Sequence, residues 1–371
     1  MLKSLYVHIP FCRKKCEYCN FYSVPYDEQL AQEYCDCIAK EIRLLKTEFS
    51  TVYLGGGTPS VLSIKQLQRV FNAIKPGLST DTEFSIECNP ESLTQDKADL
   101  FFSYGVNRVT LGAQSFDDNF IQKLGRIHSI DDTFRAISFL KQSGFSNIGI
   151  DLIFGIYGQF FDDVIKDVSV ACTLGVQHIS AYILSYEENT PLCFKMQRKE
   201  VQPISDAEVA DMYQSVVAVL AKSDYLRYEV SNFAINGYES KHNLNYWDNG
   251  EYVGIGAGAV GYLNGIRSNN IADVPAYIAR SCAGESVISE FESLGDVDRA
   301  KETAAFKIRT AVGISFKWFF DVTGFDFMEL ENGVIESFAE QGFIEYYPDN
   351  DGIKLTDKGF LFADSVSMEM L

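Results

Sequence analysis

Three cysteines in one short stretch, Cys12, Cys16 and Cys19, are the residues of this chain best suited to chemistry. The spacing C-x3-C-x2-C puts three thiols in a single loop, close enough to face one iron–sulfur cubane. A fully ligated cluster takes four cysteines, so three local thiolates leave one iron open to another ligand. Structural zinc prefers four closed ligands in paired spacings, and no second CxxC or nearby Cys/His pair completes such a site. Cys35, Cys37, Cys88, Cys172, Cys193 and Cys282 lack ligand spacing and read as buried thiols. Downstream, the run GGGTPS from Gly55 to Ser60 offers backbone without side chains for close approach to a ligand. Two acids, Glu87 in SIECNP and Asp151 in DLIFGIYGQ, belong to β-rich runs, where an isolated carboxylate would otherwise be a solvated strand-end charge.

Those groups need a scaffold that brings strand ends together. Six β-rich runs start at Ser4, Thr51, Glu83, Arg108, Asn147 and His178, and most are followed by helical periodicity, as in Glu28 to Leu45, Ile64 to Ile74, Ile130 to Ser143 and Asp162 to Thr173. Strand–helix alternation of this kind builds parallel βαβ units with right-handed crossovers. The expected fold class is therefore α/β, a partial (β/α)6 barrel. In such barrels functional groups sit on loops at the C-terminal ends of strands, and the cysteines, GGGTPS and Glu87 all follow strand ends. A helix from about Asp206 to Ala221 closes this unit. The reading assigns residues 1–225 to the barrel and 226–295 to a loop-rich subdomain. Residues 296–371 become a helical, winged-helix-like C-terminal domain, with FIEYYPDNDGIKLT as a two-stranded wing.

Composition excludes several classes of function. Acidic side chains number 51 against 32 basic ones, a net charge of −19, which repels nucleic acid at long range. No apolar run is long enough to cross a membrane, and the first residues lack the order of a secretory signal. Nine cysteines, an odd number, argue against a disulfide framework, so the expected location is the cytoplasm.

The cysteine loop, with Tyr18 just before its last ligand, resembles the signature loop of the radical S-adenosylmethionine (SAM) superfamily. The resemblance implies a [4Fe–4S] cluster on Cys12, Cys16 and Cys19, whose open iron chelates SAM and which, when reduced, cleaves it to a 5′-deoxyadenosyl radical. It assigns SAM contacts to the Gly-rich loop, here Gly56, Gly57 and Thr58, and to Glu87 and Asp151. Tyr6 in YVHIP, Gln114 in LGAQSF and Arg126 in LGRIH match further ligand positions of the coproporphyrinogen-oxidase branch.

Over nearly the whole chain the sequence is similar to the HemW-type heme chaperones, above all in KHNLNYWDNGEYVGIGAGA. That segment holds an HNxxYW element, His242, Asn243, Tyr246 and Trp247, which the family associates with heme binding. Imidazole can ligate heme iron and aromatic rings can cover a flat macrocycle. Read from residues alone, a buried histidine capping a loop, with Trp247 in the core, is the simpler alternative. The resemblance implies heme as bound cargo, a recipient apo-hemoprotein and a reducing partner for the cluster. The related oxygen-independent coproporphyrinogen III oxidases and radical heme-degrading enzymes are the alternative activities. The oxidases carry a further cysteine where Phe21 stands here, and a long N-terminal extension; this chain reaches its first ligand at position 12. Two positions depart from the chaperone pattern: Tyr157 replaces a usual proline, and Val260 a usual histidine.

Overall fold

A computed structural model describes residues 4–331 and 333–371. Six parallel strands form its centre: β1 (Ser4–Ile9), β2 (Thr51–Gly56), β3 (Glu83–Cys88), β4 (Arg108–Gln114), β5 (Ile148–Phe154) and β6 (His178–Ile183). Each falls on one of the six expected runs. Alternation along the strands explains the architecture, because successive side chains of a strand point to opposite faces. Leu5, Val7 and Ile9, then Val52 and Leu54, Phe84 and Ile86, Val109 and Leu111, and Ile150 and Leu152 form one buried apolar face. The intervening positions carry Tyr6, His8, Tyr53, Glu87, Thr110, Gln114, Asp151 and Ser180. Parallel sheets covered on both faces normally read as continuous apolar runs; polar alternation here marks a sheet curled around a chemical interior.

The helices between strands begin where the sequence supplies caps. Asp27, Ser63, Thr94, Ser129 and Ser205 each accept a backbone N–H of the first turn of the helices Glu28–Leu45, Ile64–Ile74, Gln95–Ser103, Ile130–Gln142 and Asp206–Lys222. Each cap contributes on the order of 1 kcal/mol.

The segment 226–295 is not the separate subdomain read from the sequence. Its strands β7 (Leu226–Arg227) and β8 (Asn232–Ala234) extend the main sheet antiparallel beyond β6, and β9 (Val253–Ile255) pairs parallel with β1 at the other edge. The sheet thus has nine strands, and the 225/226 boundary cuts through it. Unpaired edges expose N–H and C=O groups, which is what these additions satisfy. Buried Tyr34 ties the join, donating to His8 O at 2.8 Å and accepting from Ala257 N at 2.9 Å. The rest of the segment forms an antiparallel sheet of Val260–Leu263, Ile266–Asn270 and Ile288–Ser293 plus two helices, Lys241–Trp247 and Val274–Ala283.

After the helix Asp296–Lys307 come short helices and a three-stranded antiparallel sheet. Its hairpin pairs Ile344–Tyr346 with Gly352–Leu355, the expected wing. Ile308, Phe319, Ile335 and Val366 belong to the same contiguous core as the barrel strands.

Candidate functional site

The cysteine loop is fixed at both ends. Phe11–Cys12 pairs with Val24–Pro25, and Tyr26 N donates to Cys12 O at 2.9 Å. In the middle, Glu17 N donates to Leu124 O and Glu17 O accepts from Leu192 N, while its carboxylate meets Lys195 Nζ at 2.6 Å. Gly125, at φ +77°, leaves the room Glu17 needs; a Cβ there would lie 3.0 Å from Glu17 N.

Cys12, Cys16 and Cys19 line one cavity of about 430 Å³, together with Gly56, Gly57, Thr58, Glu87, Gln114, Arg126 and Asp151. That volume suits a small-molecule ligand. The sequence expectations for these ten residues are thus brought to one place. Gly57 has no alternative: a Cβ would meet Ile9 O and Phe11 N and O, all at 2.9 Å. Thr58 Oγ1 donates to Cys12 Sγ at 3.5 Å and Arg126 Nη1 to Cys16 Sγ at 3.6 Å, so two of the three sulfurs already receive hydrogen bonds that favour a thiolate. Burial pushes the thiols of Cys12 and Cys19 above their usual range.

Glu87 accepts from Tyr53 Oη at 2.7 Å and Gly56 N at 3.2 Å, and burial pushes its carboxyl up to about 7. Burial likewise raises Asp151 to about 6, against the opposing hydrogen bond from Ser180. Two acids held this far from their usual range favour a cationic ligand group, which would restore their charge. Arg126 bridges Asn89 Oδ1 at 3.1 Å and Gly112 O at 3.0 Å, leaving Nε buried without a protein partner.

Sequence reasoning missed Asn89 and Tyr182, both in the cavity wall. Pleating could have found Asn89: it lies two positions after Glu87 and so on the same face. Asn89 Nδ2 donates to Thr58 Oγ1 at 3.0 Å, joining the Gly-rich loop to Arg126.

Tyr6 and His242 are not in the cavity. Tyr6 Oη bonds His8 Nδ1 at 2.9 Å, and its ring stacks on Tyr53, so it backs the Glu87 support. His242 is 1% exposed, with Nδ1 on Thr51 Oγ1 at 2.8 Å and Nε2 on Tyr246 Oη at 2.9 Å. Burial lowers it to about 3, so it is neutral, and both ring nitrogens are engaged. In this conformation the imidazole is a buried group that ties Thr51 to Tyr246, outside the first cavity. Its neighbours Tyr246 and Trp247 instead border a second cavity of about 220 Å³, with Tyr252, Tyr262, Phe306 and Arg267. Phe21, at the oxidase-cysteine position, is 65% exposed at the mouth of the first cavity. Of the six other cysteines, Cys282 is exposed and Cys172 half-buried, which corrects the expectation that all are buried.

Fold and cavity together define a radical SAM protein, and the sequence profile of the radical SAM superfamily matches residues 6–171. Membership implies a [4Fe–4S] cluster and SAM. The residues fit that group: three thiols share one cavity with the Gly-rich loop and two buried acids, and two of the three sulfurs already receive hydrogen bonds. The chain is 37% identical to the heme chaperone HemW of Lactococcus lactis over 99% of its own length and 97% of that protein. It is 34% identical to the heme chaperone HemW of Bacillus subtilis over 98% of both chains. The chain belongs to the HemW family. The solved structure of coproporphyrinogen III oxidase (HemN) from Escherichia coli, a radical SAM enzyme, superposes with a TM-score of 0.85 at 21% identity, covering 100% of this chain and 90% of that one. That likeness concerns the fold alone. Among the described residues no helix is long and apolar enough to cross a membrane.

Proposed function

We propose that this protein binds heme and transfers it to apo-hemoproteins, with a [4Fe–4S] cluster and SAM supporting the transfer. The observation that carries this reading is the end-to-end similarity to heme chaperones, 37% identity with 97% of the Lactococcus lactis relative covered. Cys12, Cys16 and Cys19 hold the cluster. Gly56, Gly57, Thr58, Glu87, Gln114, Arg126 and Asp151 hold SAM, and Tyr6 supports Glu87 through Tyr53. When bound, the pair supplies one-electron chemistry; the chain's own contribution is to orient SAM and keep its polar groups paired. The cargo lies against the second cavity, where aromatic rings suit a flat macrocycle and Arg267 suits an acidic edge. Heme is larger than a cavity of about 220 Å³, so part of it stays exposed, as transfer requires. A reductant for the cluster and a recipient apo-hemoprotein are the expected partners. All nine cysteines are free thiols, which suits the reducing cytoplasm.

Titration of the anaerobically reconstituted protein with heme tests the proposal. One equivalent should bind with a shifted Soret band, and incubation with coproporphyrinogen III, SAM and reductant should give no protoporphyrinogen on chromatography. Multiple-turnover decarboxylation would replace the carrier by the oxidase.

A further inference from the structure

The wall of the first cavity contains one strained turn, and an acid that no sequence motif singled out holds it. Gln114 ends β4 at φ +68°, a region non-glycine residues rarely occupy. Ser115 N donates to Ala113 O at 2.9 Å, closing a three-residue turn around Gln114 of the rare positive-φ kind. The same place breaks the ladder: β4 pairs with β5 in register at Leu111 and Ile150, then shifts so that Gln114 faces Leu152. The turn directs the Gln114 side chain into the cavity wall, where its amide has no protein partner.

A turn of this kind persists only where its surroundings over-determine it. Three groups do so here. Arg126 Nη2 donates to Gly112 O at 3.0 Å, and His128 Nε2 bonds Ala113 O at 3.0 Å. The outgoing backbone is hydrogen-bonded by Asp167, a buried residue of the helix Phe161–Thr173, while the Phe116 ring stacks on Phe134. Asp167 Oδ2 accepts from Ser115 Oγ at 2.6 Å and its Oδ1 from Phe116 N at 2.8 Å. Ser115 Oγ in turn accepts from Asp117 N at 3.0 Å, so the two carboxylate oxygens set three consecutive residues after Gln114. Asp167 is not in the cavity wall and cannot touch its ligand.

We propose that Asp167 is a positioning residue for the SAM cavity: it holds the turn that points the free amide of Gln114 at the ligand. The proposal rests on Gln114 contacting SAM. Acceptor geometry matters more than charge, because an asparagine can still accept from Phe116 N and donate to Ser115 Oγ.

SAM affinity, measured by anaerobic calorimetry on the reconstituted full chain, tests it in a double-mutant cycle. Gln114→Ala should weaken SAM about tenfold, the usual scale for one lost polar contact, and Asp167→Ala should weaken it by a similar factor. The double variant should be no weaker than Gln114→Ala within about twofold, because one residue acts through the other. Asp167→Asn should restore affinity to within about threefold of wild type. In protein lacking cluster and SAM, the Phe116 amide should exchange with deuterium faster in Asp167→Ala than in wild type. Ser115→Ala, which removes one of the two bonds, replaces Asp167→Ala if that variant does not fold. Additive losses in the cycle, or wild-type affinity in Asp167→Ala and Ser115→Ala beside a weakened Gln114→Ala, would overturn the proposal. Wild-type affinity in Gln114→Ala itself would remove the assumed contact and the proposal with it.

Discussion

If Glu87 must be ionised to hold SAM, affinity should depend on pH with a midpoint set by its raised pKa. The carboxyl titrates at about 7 in the unliganded protein. Binding only to the ionised form costs a factor (1 + 10^(pKa−pH)), which weakens SAM about tenfold between pH 8 and pH 6. Asp151, at about 6, adds about a factor of two over the same interval. Glu87→Gln removes the first factor and keeps the shape of the site, since the Tyr53 hydroxyl can rotate to accept from the new amide. The variant should bind SAM roughly ten- to a hundredfold more weakly at pH 8, the scale of a lost charge-assisted bond, with a pH slope shallower than wild type by about tenfold over two units. Anaerobic calorimetry at three pH values reads both quantities. Any pH dependence of SAM's attachment to the cluster is common to the two proteins, so only their difference counts. Parallel pH profiles would refute the assignment of the titrating group.

A linked effect appears in stability. A carboxyl raised in the fold from 4.5 to about 7 binds more protons folded than unfolded in that window. Stability is therefore lost as pH rises through it, by up to about 3 kcal/mol once both states are ionised. Unliganded Glu87→Gln should accordingly melt higher than wild type at pH 8 and no higher at pH 4, by calorimetric scan. Iron analysis and visible absorption should show close to four irons per chain, lost in Cys12→Ala, Cys16→Ala or Cys19→Ala and kept in Cys35→Ala or Cys282→Ala. His242→Ala should keep the heme Soret band but lower the melting temperature, because it leaves a void at a buried position and takes one partner from the Tyr246 and Thr51 hydroxyls, of which Thr51 keeps Ser4 Oγ. Arg267→Ala and Trp247→Ala should weaken heme binding in spectroscopic titrations. With a net charge of −19, gel shifts should detect no tRNA or duplex DNA binding at physiological salt.

The sequence by itself determined the parts that depend on local period and spacing. β-rich runs located six strands, helical periodicity located the helices between them, and three thiols within eight positions named the cluster loop. The strand-end rule then placed the cysteine loop, the Gly-rich loop and Glu87 at a common mouth before any geometry was known, whereas Asp151 lies in the middle of β5 and reaches the cavity from there. Tertiary structure decided what depends on contacts distant along the chain. Val253–Ile255 is too short to show a period, and becomes a strand only because β1 offers an unpaired edge. Asp167 looks like any acid on an amphipathic helix until the fold brings it, 52 residues along the chain, to Ser115. His242 carries the same ring whether it ligates iron or supports a core. Its neighbours Thr51 and Tyr246 engage both nitrogens, and one of them lies 191 positions away. An imidazole's function is set by which groups reach its two nitrogens, and those partners exist only once the chain has closed around them.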